Sequence, residues 1–419
     1  METDGFIMVE KEIEAVERST PISPQHHLED IDHVIRSLRD SLWTLNTTIH
    51  ENPELAFKEY NTHDVLTKYI RSQTGWEITT SAYGLETAWV AICDSGKKGP
   101  VVSFNAEMGL ATAHIMKRRK LPGKIVIIGT PGEEGYGGGK IQLLRAGAYK
   151  DVDISLISHP GILHNSPLVR TTAFARLEVE YHGRPSHAAN SPWLGINALD
   201  ALVIAYNAVA VLRQQTMPSD VIGFSITNGG GAPNVIHAYA AGVCVIRATS
   251  SSRLEALRQK VTACFRAGAE ATGATMDLKL IDGYADHVPN RILAALYTKH
   301  WNLLPDPPKP SILPNEQFTF IKASTDQGNI SYAVPSVNAS FAIPPGVDAG
   351  QPHTPDFEKA SGTVGAFERA LRVGTVLAGT AVDVLDSPDL LAKIKEQWKK
   401  DMTDAELLSS ASSKNNLGA

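Results

Sequence analysis

Lys124-Ile-Val-Ile-Ile-Gly-Thr-Pro-Gly-Glu-Glu-Gly-Tyr-Gly-Gly-Gly139 is the stretch around which the chain is organised. Its first half, Lys124–Thr130, is a short continuous apolar run with Pro122-Gly123 before it and Pro131-Gly132 after it. That reads as a buried strand of a parallel or mixed sheet, covered on both faces. The strand opens onto two adjacent carboxylates, Glu133 and Glu134, and then onto glycines. In open α/β sheets ligands sit at that end. Two acids there can divide labour, one holding a cation and the other taking a proton from the water it acidifies. The plainer alternative is a pair of solvated glutamates. A phosphate-binding loop is excluded: Glu134 stands where that pattern needs Gly, and Ile141 where it needs Ser or Thr.

Working outward, helices and strands alternate. Apolar residues at helical spacing run from His27 to His50, and a second helix is expected from about Lys58 to Arg71. Strand-like runs follow at Trp76–Ser81, Thr87–Cys93 and Val101–Asn105, then a helix over Gly109–Leu121, in an α/β arrangement. After the opening strand come a helix ending near Gly147 and a strand at Asp153–Ser158, which runs into His159-Pro160-Gly161. A lone His is usually structural, but this one ends a strand on the same edge as Glu133 and Glu134.

From about Arg170 the period changes to two, with Arg176, Glu178 and Glu180 alternating against Leu177, Val179 and Tyr181. The order strand, helix, strand, strand, helix, strand through 170–285 matches a ferredoxin-like unit inserted into the first domain. The first pattern then resumes. A helix is expected at Asn290–Asn302, strands at Ser331–Val334 and Ser340–Ile343, and a loop over Gly346–Phe357 that carries His353. Helices are expected at Val364–Leu385 and Ser387–Met402. Residues 1–25 and 404–419 read as loose tails, which leaves 26–169 plus 286–403 as the main domain.

Composition is that of a soluble enzyme. The 419 residues carry 43% hydrophobic and 20% charged side chains and a net charge of −6, which gives no reason to expect nucleic acid or an anionic membrane as partner. Cys93, Cys244 and Cys264 are far apart in apolar segments, neither a disulfide framework nor a metal knuckle, and suit a reducing compartment. No run is long enough to span a membrane, and the acidic, polar start is unlike a secretory signal, so a cytoplasmic location is expected.

Taken together, His50-Glu-Asn-Pro-Glu54, Gly129-Thr-Pro-Gly-Glu133-Glu134-Gly, Ser158-His159-Pro, Gly183-x-x-x-His187-Ala-Ala, Ala232-Pro-Asn234-Val-Ile, Arg247, Ser324-Thr-Asp-x-Gly328-Asn329 and His353-Thr-Pro-Asp356 resemble the aminoacylase and carboxypeptidase family of zinc hydrolases, peptidase family M20, and within it the cytosolic dipeptidase and amidohydrolase branch. The resemblance implies a mixed-sheet α/β zinc-peptidase catalytic domain with an inserted ferredoxin-like α+β dimerisation and lid domain. It implies a homodimer acting on a dipeptide or an N-acyl amino acid with a free carboxylate. It implies Glu133 as general base, Glu134, His159 and His353 as metal ligands, and His187 as oxyanion stabiliser reaching into the partner's site. Asn234 and Arg247 would hold the substrate carboxylate. Zinc is the expected metal, and manganese and cobalt suit the same donors.

Two departures stand out. His237 follows Asn-Val-Ile where the family usually has Pro. More important, the family pattern carries a loop with a bridging Cys and a His ligand after the strand that here ends in Asn105-Ala-Glu-Met108. In this chain Gly109-Leu-Ala-Thr-Ala-His114 follows at once. The binuclear site of the family would be incomplete, and His114, among apolar helix positions, reads as a packing residue rather than a substitute. Either a gene model skips an exon, or the chain is an impaired or inactive paralogue that keeps the fold and the dimer.

Overall fold

A computed structural model describes residues 24–105, 108–134, 137–312 and 318–414. The expected first tail thus lies almost wholly outside the described residues. The chain divides into two compact units. The first comprises Met1–Arg170, His287–Ile321 and Asn329–Met402; the second comprises Thr171–Asp286, Lys322–Gly328 and Thr403–Ala419.

The first unit begins with α1 (Pro24–His50) and α2 (Tyr60–Arg71), then β1 (Glu77–Thr80), β2 (Trp89–Asp94), β3 (Val101–Phe104), α3 (Met108–Arg119), β4 (Lys124–Gly129), α4 (Gly139–Arg145) and β5 (Ile154–Gly161). In β4 the four residues Ile125 to Ile128 are all buried, and they serve different cores. Ile125 packs with Val102, Ile154 and α1's Ile31 and Val34, whereas Val126 and Ile128 pack with Val90, Leu143 and Tyr149. Burial on both faces is why this strand reads as an unbroken apolar run rather than an alternation. The helix α3 starts at Met108 directly after β3, with only 105–107 between them.

Short β6 (Val169–Thr171) leads to the second unit: β7 (Ala173–His182), β8 (Ser186–His187), α5 (Ala198–Leu212), β9 (Val221–Asn228), β10 (Val235–Ile236), β11 (Tyr239–Ala248), α6 (Ser251–Thr272) and β12 (Thr275–Tyr284). The main sheet is antiparallel throughout, in the order β12-β7-β11-β9. Leu177, Val179, Tyr181, Cys244 and Ile246 pack beneath the two helices, while Arg176, Glu178 and Glu180 stay half-exposed on the other face. Ser250 caps α6 by accepting from the Arg253 N–H at 3.2 Å, and Gly273 ends it at φ +77°.

The chain returns through α7 (Arg291–Leu303), β13 (Thr319–Ile321), α8 (Gln327–Ser331), β14 (Ser336–Ala342), α9 (Pro355–Ser361), α10 (Val364–Asp386) and α11 (Pro388–Lys414). The first unit's sheet has six strands in the order β1-β2-β4-β3-β5-β14. β3, β4, β5 and β14 run parallel, and β1 and β2 form an antiparallel edge.

Three readings are corrected here. Ser331–Val334 is not a strand: Ser331 ends α8, a turn follows, and the strand starts at Ser336. Ile330 and Val334 are buried one helical turn apart, so an apolar run too short to show its period looked extended. The loop expected over Gly346–Phe357 stops at Pro355, where α9 begins. The last helix continues to Lys414, past the expected end at Met402. Among the described residues no helix is long and apolar enough to cross a membrane.

Candidate active site

The two carboxylates sit on a loop that folds back on itself. Gly132 adopts φ +60°, and its N–H donates to Glu59 Oε1 at 2.8 Å; the other Glu59 oxygen accepts from Thr87 Oγ1 at 3.0 Å. A Cβ on Gly139 would stand 1.7 Å from the Pro131 carbonyl oxygen, so only glycine lets α4 start so close to the strand end. Asn105, at the end of β3, donates to Thr130 Oγ1 at 3.3 Å and ties the neighbouring strand end to the same loop.

Glu133 and Glu134 face different partners. Glu133 Oε1 lies 3.4 Å from His159 Nε2, and both side chains are mostly covered. Glu134 Oε2 lies 3.7 Å from His353 Nε2, and these two side chains are 73% and 74% exposed. An inner and an outer carboxylate–imidazole pair therefore stand side by side. His159 lies inside β5, near its C-terminal end, and its Nδ1 contacts Asn338 Oδ1 on β14 at 2.7 Å. His353 precedes α9 at φ +70°. Its loop is shaped by the Asp356 carboxylate, which accepts from the Gly350 N–H at 2.8 Å, and by Thr354, which caps α9 through the Phe357 N–H at 3.3 Å.

The electrostatics follow from this crowding. Glu134 is raised above the usual carboxyl range, first because surrounding protein desolvates it even though much of its side-chain surface reaches solvent, then by the charge of Glu133. His353 and His159 oppose that rise. For His159, desolvation disfavours the charged ring, yet the hydrogen bond and charge of Glu133 outweigh it and the imidazole is raised.

Carboxylate and imidazole are donors zinc accepts, with bonds of about 2.0–2.2 Å, which puts two tetrahedral ligands of one ion about 3.3–3.6 Å apart. The Glu133–His159 separation of 3.4 Å lies within that range, and the Glu134–His353 separation of 3.7 Å lies just beyond it. A closed three-donor centre does not form from these residues. Among the described residues, the set of three such donors that does converge is Glu180, His182 and Asp277 in the second unit. There Glu180 already accepts from the Tyr239 hydroxyl at 2.7 Å and from Lys279 at 3.1 Å.

Within the second unit, β8 pairs with β10, so Val235 lies opposite His187, and the Ala188 N–H donates to the Asn234 carbonyl at 3.0 Å. His187 Nδ1 accepts from the Ala189 and Asn190 N–H groups at 3.2 and 3.1 Å. The proton of the neutral ring is therefore on Nε2, and the side chain is exposed. Arg247 on β11 donates to Ser324 Oγ at 2.7 Å and lies over the Phe174 ring at 4.8 Å. His237, the departure from the family pattern, has a local role: its Nδ1 accepts from the Gly231 N–H at 3.3 Å and so holds the glycine-rich loop.

Comparison with known proteins decides the ancestry. Residues 170–272 match the family described as the peptidase dimerisation domain. The chain is 34% identical over 406 residues to an Xaa-Arg dipeptidase of Mus musculus, covering 89% of this chain and 92% of that protein. It is 34% identical over 397 residues to the Xaa-Arg dipeptidase of Homo sapiens, covering 86% and 89%. The chain belongs to the peptidase M20 family. A Bacillus subtilis structure described as a dinuclear metal-binding peptidase of that family superposes with a TM-score of 0.61 at 16% identity, covering 83% of this chain and 99% of that one. The architecture is thus the M20 one, an α/β catalytic domain with an inserted dimerisation domain.

Against that family several positions sort differently from their motifs. Glu54 is a structural cap in this M20 chain: its oxygens accept from the N–H groups of Asn61 and Thr62, both at 2.8 Å, at the start of α2. His50 contacts the Glu358 carbonyl at 3.0 Å in α9. His114 is exposed on α3 rather than packed, which corrects the packing expectation. Glu59 and Asn338 were not singled out from sequence. Asn338 did carry a signal, since a carboxamide in a continuously buried strand needs a partner; Glu59 carried none.

Proposed function

We propose that this M20 chain is a metal-dependent dipeptidase that cleaves the amide bond next to a residue with a free carboxylate. The observation that carries the reading is the convergence of Glu133 with His159 and of Glu134 with His353 at one strand-end loop. When bound, a divalent cation supplies an acidified water and a polarised carbonyl. Zinc is the first choice, and manganese or cobalt would suit the same donors. Glu134 and His353 would hold it, with His159 as the further donor of the site. Glu133, the less exposed carboxylate, takes a proton from the attacking water and returns it to the leaving amine. His187, with its proton on Nε2, donates to the developing oxyanion. Arg247 and Asn234 hold the substrate carboxylate.

The relatives named Xaa-Arg dipeptidases make a dipeptide with a C-terminal arginine the first substrate to test; other dipeptides and N-acyl amino acids come next. The match to a peptidase dimerisation domain supports a homodimer through the inserted domain, for which we keep the bounds 170–285, with 26–169 plus 286–403 as the catalytic part in the cytoplasm. The purified chain, supplied with zinc, should turn over Xaa-Arg dipeptides. No turnover from it, while a version with a ligand loop restored between Met108 and Gly109 is active, would overturn the reading for the chain as it stands.

A second reading has its own support. The direct passage from β3 to α3, and the lack of a third donor close to both Glu134 and His353 among the described residues, favour a dimeric binding protein without chemistry. Tight zinc in near-stoichiometric amount would count against it.

A further inference from the structure

We propose that Asn338 is a positioning residue that sets the tautomer of His159, holding the proton on Nδ1 so that in the neutral ring Nε2 is left bare for a bound cation. The inference rests on the metal-hydrolase reading above and names a residue outside its ligand set.

The register fixes the geometry. β5 and β14 are parallel neighbours, with Ile157 opposite Asn338 and His159 opposite Ser340. His159 and Asn338 therefore emerge on the same face of the sheet, on adjacent strands, one pleat apart. All seven residues of β14 are buried, and Asn338 itself is 4% exposed. A carboxamide in such a strand is costly unless hydrogen-bonded. The Asn338 side-chain oxygen lies 2.7 Å from His159 Nδ1, so the ring donates from Nδ1. The other ring nitrogen lies 3.4 Å from Glu133 Oε1, a longer contact than the 2.7 Å one to Asn338, so the shorter bond holds the single proton of the neutral ring. A neutral imidazole with its proton on Nδ1 has an unprotonated Nε2, the form a cation requires. In many metal sites a carboxylate does this task. Here Glu133 and Glu134 already crowd two acids together, and an amide orients the ring without adding a third negative charge.

The test reads the ring directly. In ¹⁵N-histidine-labelled, metal-free protein, at a pH where His159 is neutral, Nδ1 of this residue should show the protonated signature and Nε2 the bare one. Asn338→Leu, which keeps the size and removes the acceptor, should shift the ring toward the Nε2–H form. It should also lower zinc affinity by about 10–100-fold in competition with a chelator. Asn338→Asp, which keeps an acceptor, should restore both. A wild-type spectrum with the proton on Nε2 overturns the proposal, as does an Asn338→Leu protein with unchanged spectrum and zinc affinity. If Asn338→Leu does not fold, the wild-type and Asn338→Asp spectra decide it. If the wild type takes up no zinc, the metal reading fails, and the tautomer still settles the role of Asn338.

Discussion

Glu134 and His353 bring a carboxylate oxygen and an imidazole nitrogen to 3.7 Å of each other from two loops far apart in the chain. No third His, Cys, Asp or Glu donor converges with them among the described residues. Two close donors, with His159 further off and solvent beside them, can hold one ion, weakly. We therefore expect at most one equivalent of zinc per chain by elemental analysis after dialysis, and its loss in His353→Ala. A chain that retains two equivalents, or a His353→Ala protein that retains its zinc, would rule this out.

Glu133 stands beside the outer pair and is bonded toward His159 rather than His353. In the mechanism proposed above it transfers the proton and does not bind the ion. Glu133→Gln keeps the shape and removes the base, so turnover should fall by about 10²–10⁴-fold with zinc content unchanged. A normal rate would remove it from the mechanism.

His187 accepts two backbone N–H bonds at Nδ1, which leaves Nε2–H as its outward donor. Losing one such donor typically costs about 10²–10³ in kcat. His187→Ala should show that loss with the same zinc affinity and the same far-UV spectrum. A drop in zinc affinity instead would make His187 a ligand and not an oxyanion donor.

How much of this could be read beforehand depended on range. The β4 run, the period-two strand Phe174–Tyr181 and the Glu-Glu loop are local patterns, and local patterns decide local structure. The order β12-β7-β11-β9 followed because a strand-helix-strand-strand-helix-strand chain has few ways to close one antiparallel sheet. Glu59 and Asn338 escaped because each acts through one hydrogen bond across the fold, to Gly132 and to His159. Position 114 was misread because α3 is buried almost all round, Leu110 to Ala113 and Ile115-Met116, and its exposed strip is narrow. Ser331–Val334 failed for the opposite reason, as too short a run to show any period.

A cavity of about 410 Å³ is lined among others by Leu38, Leu42 and Leu45 of α1, Phe341 of β14, and Ala370 and Leu371 of α10. Ala370→Leu would bury added methylenes there at about 0.8 kcal/mol each, less some strain, for a net gain of about 1 kcal/mol. Ala378→Leu, in the same helix but fully buried in the packed core, should cost about 1–3 kcal/mol. Urea unfolding of the two variants checks the pair. If Ala370→Leu destabilises as much as Ala378→Leu, the space is not available to apolar side chains.

His287 supplies a pH dependence whose sign can be worked out. It is fully buried; its Nδ1 donates to the Val169 carbonyl at 2.8 Å, and its Nε2 lies 3.2 Å from Ser336 Oγ. Burial pushes its pKa down from 6.5 to about 4. As pH falls from 6.5, the unfolded chain takes up a proton that the folded chain refuses. Stability from this group is therefore fully present above about 6.5 and is lost between there and about 4, by about 3 kcal/mol in all. His287→Gln keeps a donor and an acceptor but does not titrate. Its unfolding free energy should fall less than the wild type's between pH 7 and pH 4.5, by about 2 kcal/mol. Parallel pH profiles for the two proteins would mean that His287 is protonated inside the folded chain, contrary to its place between Val169 and Ser336.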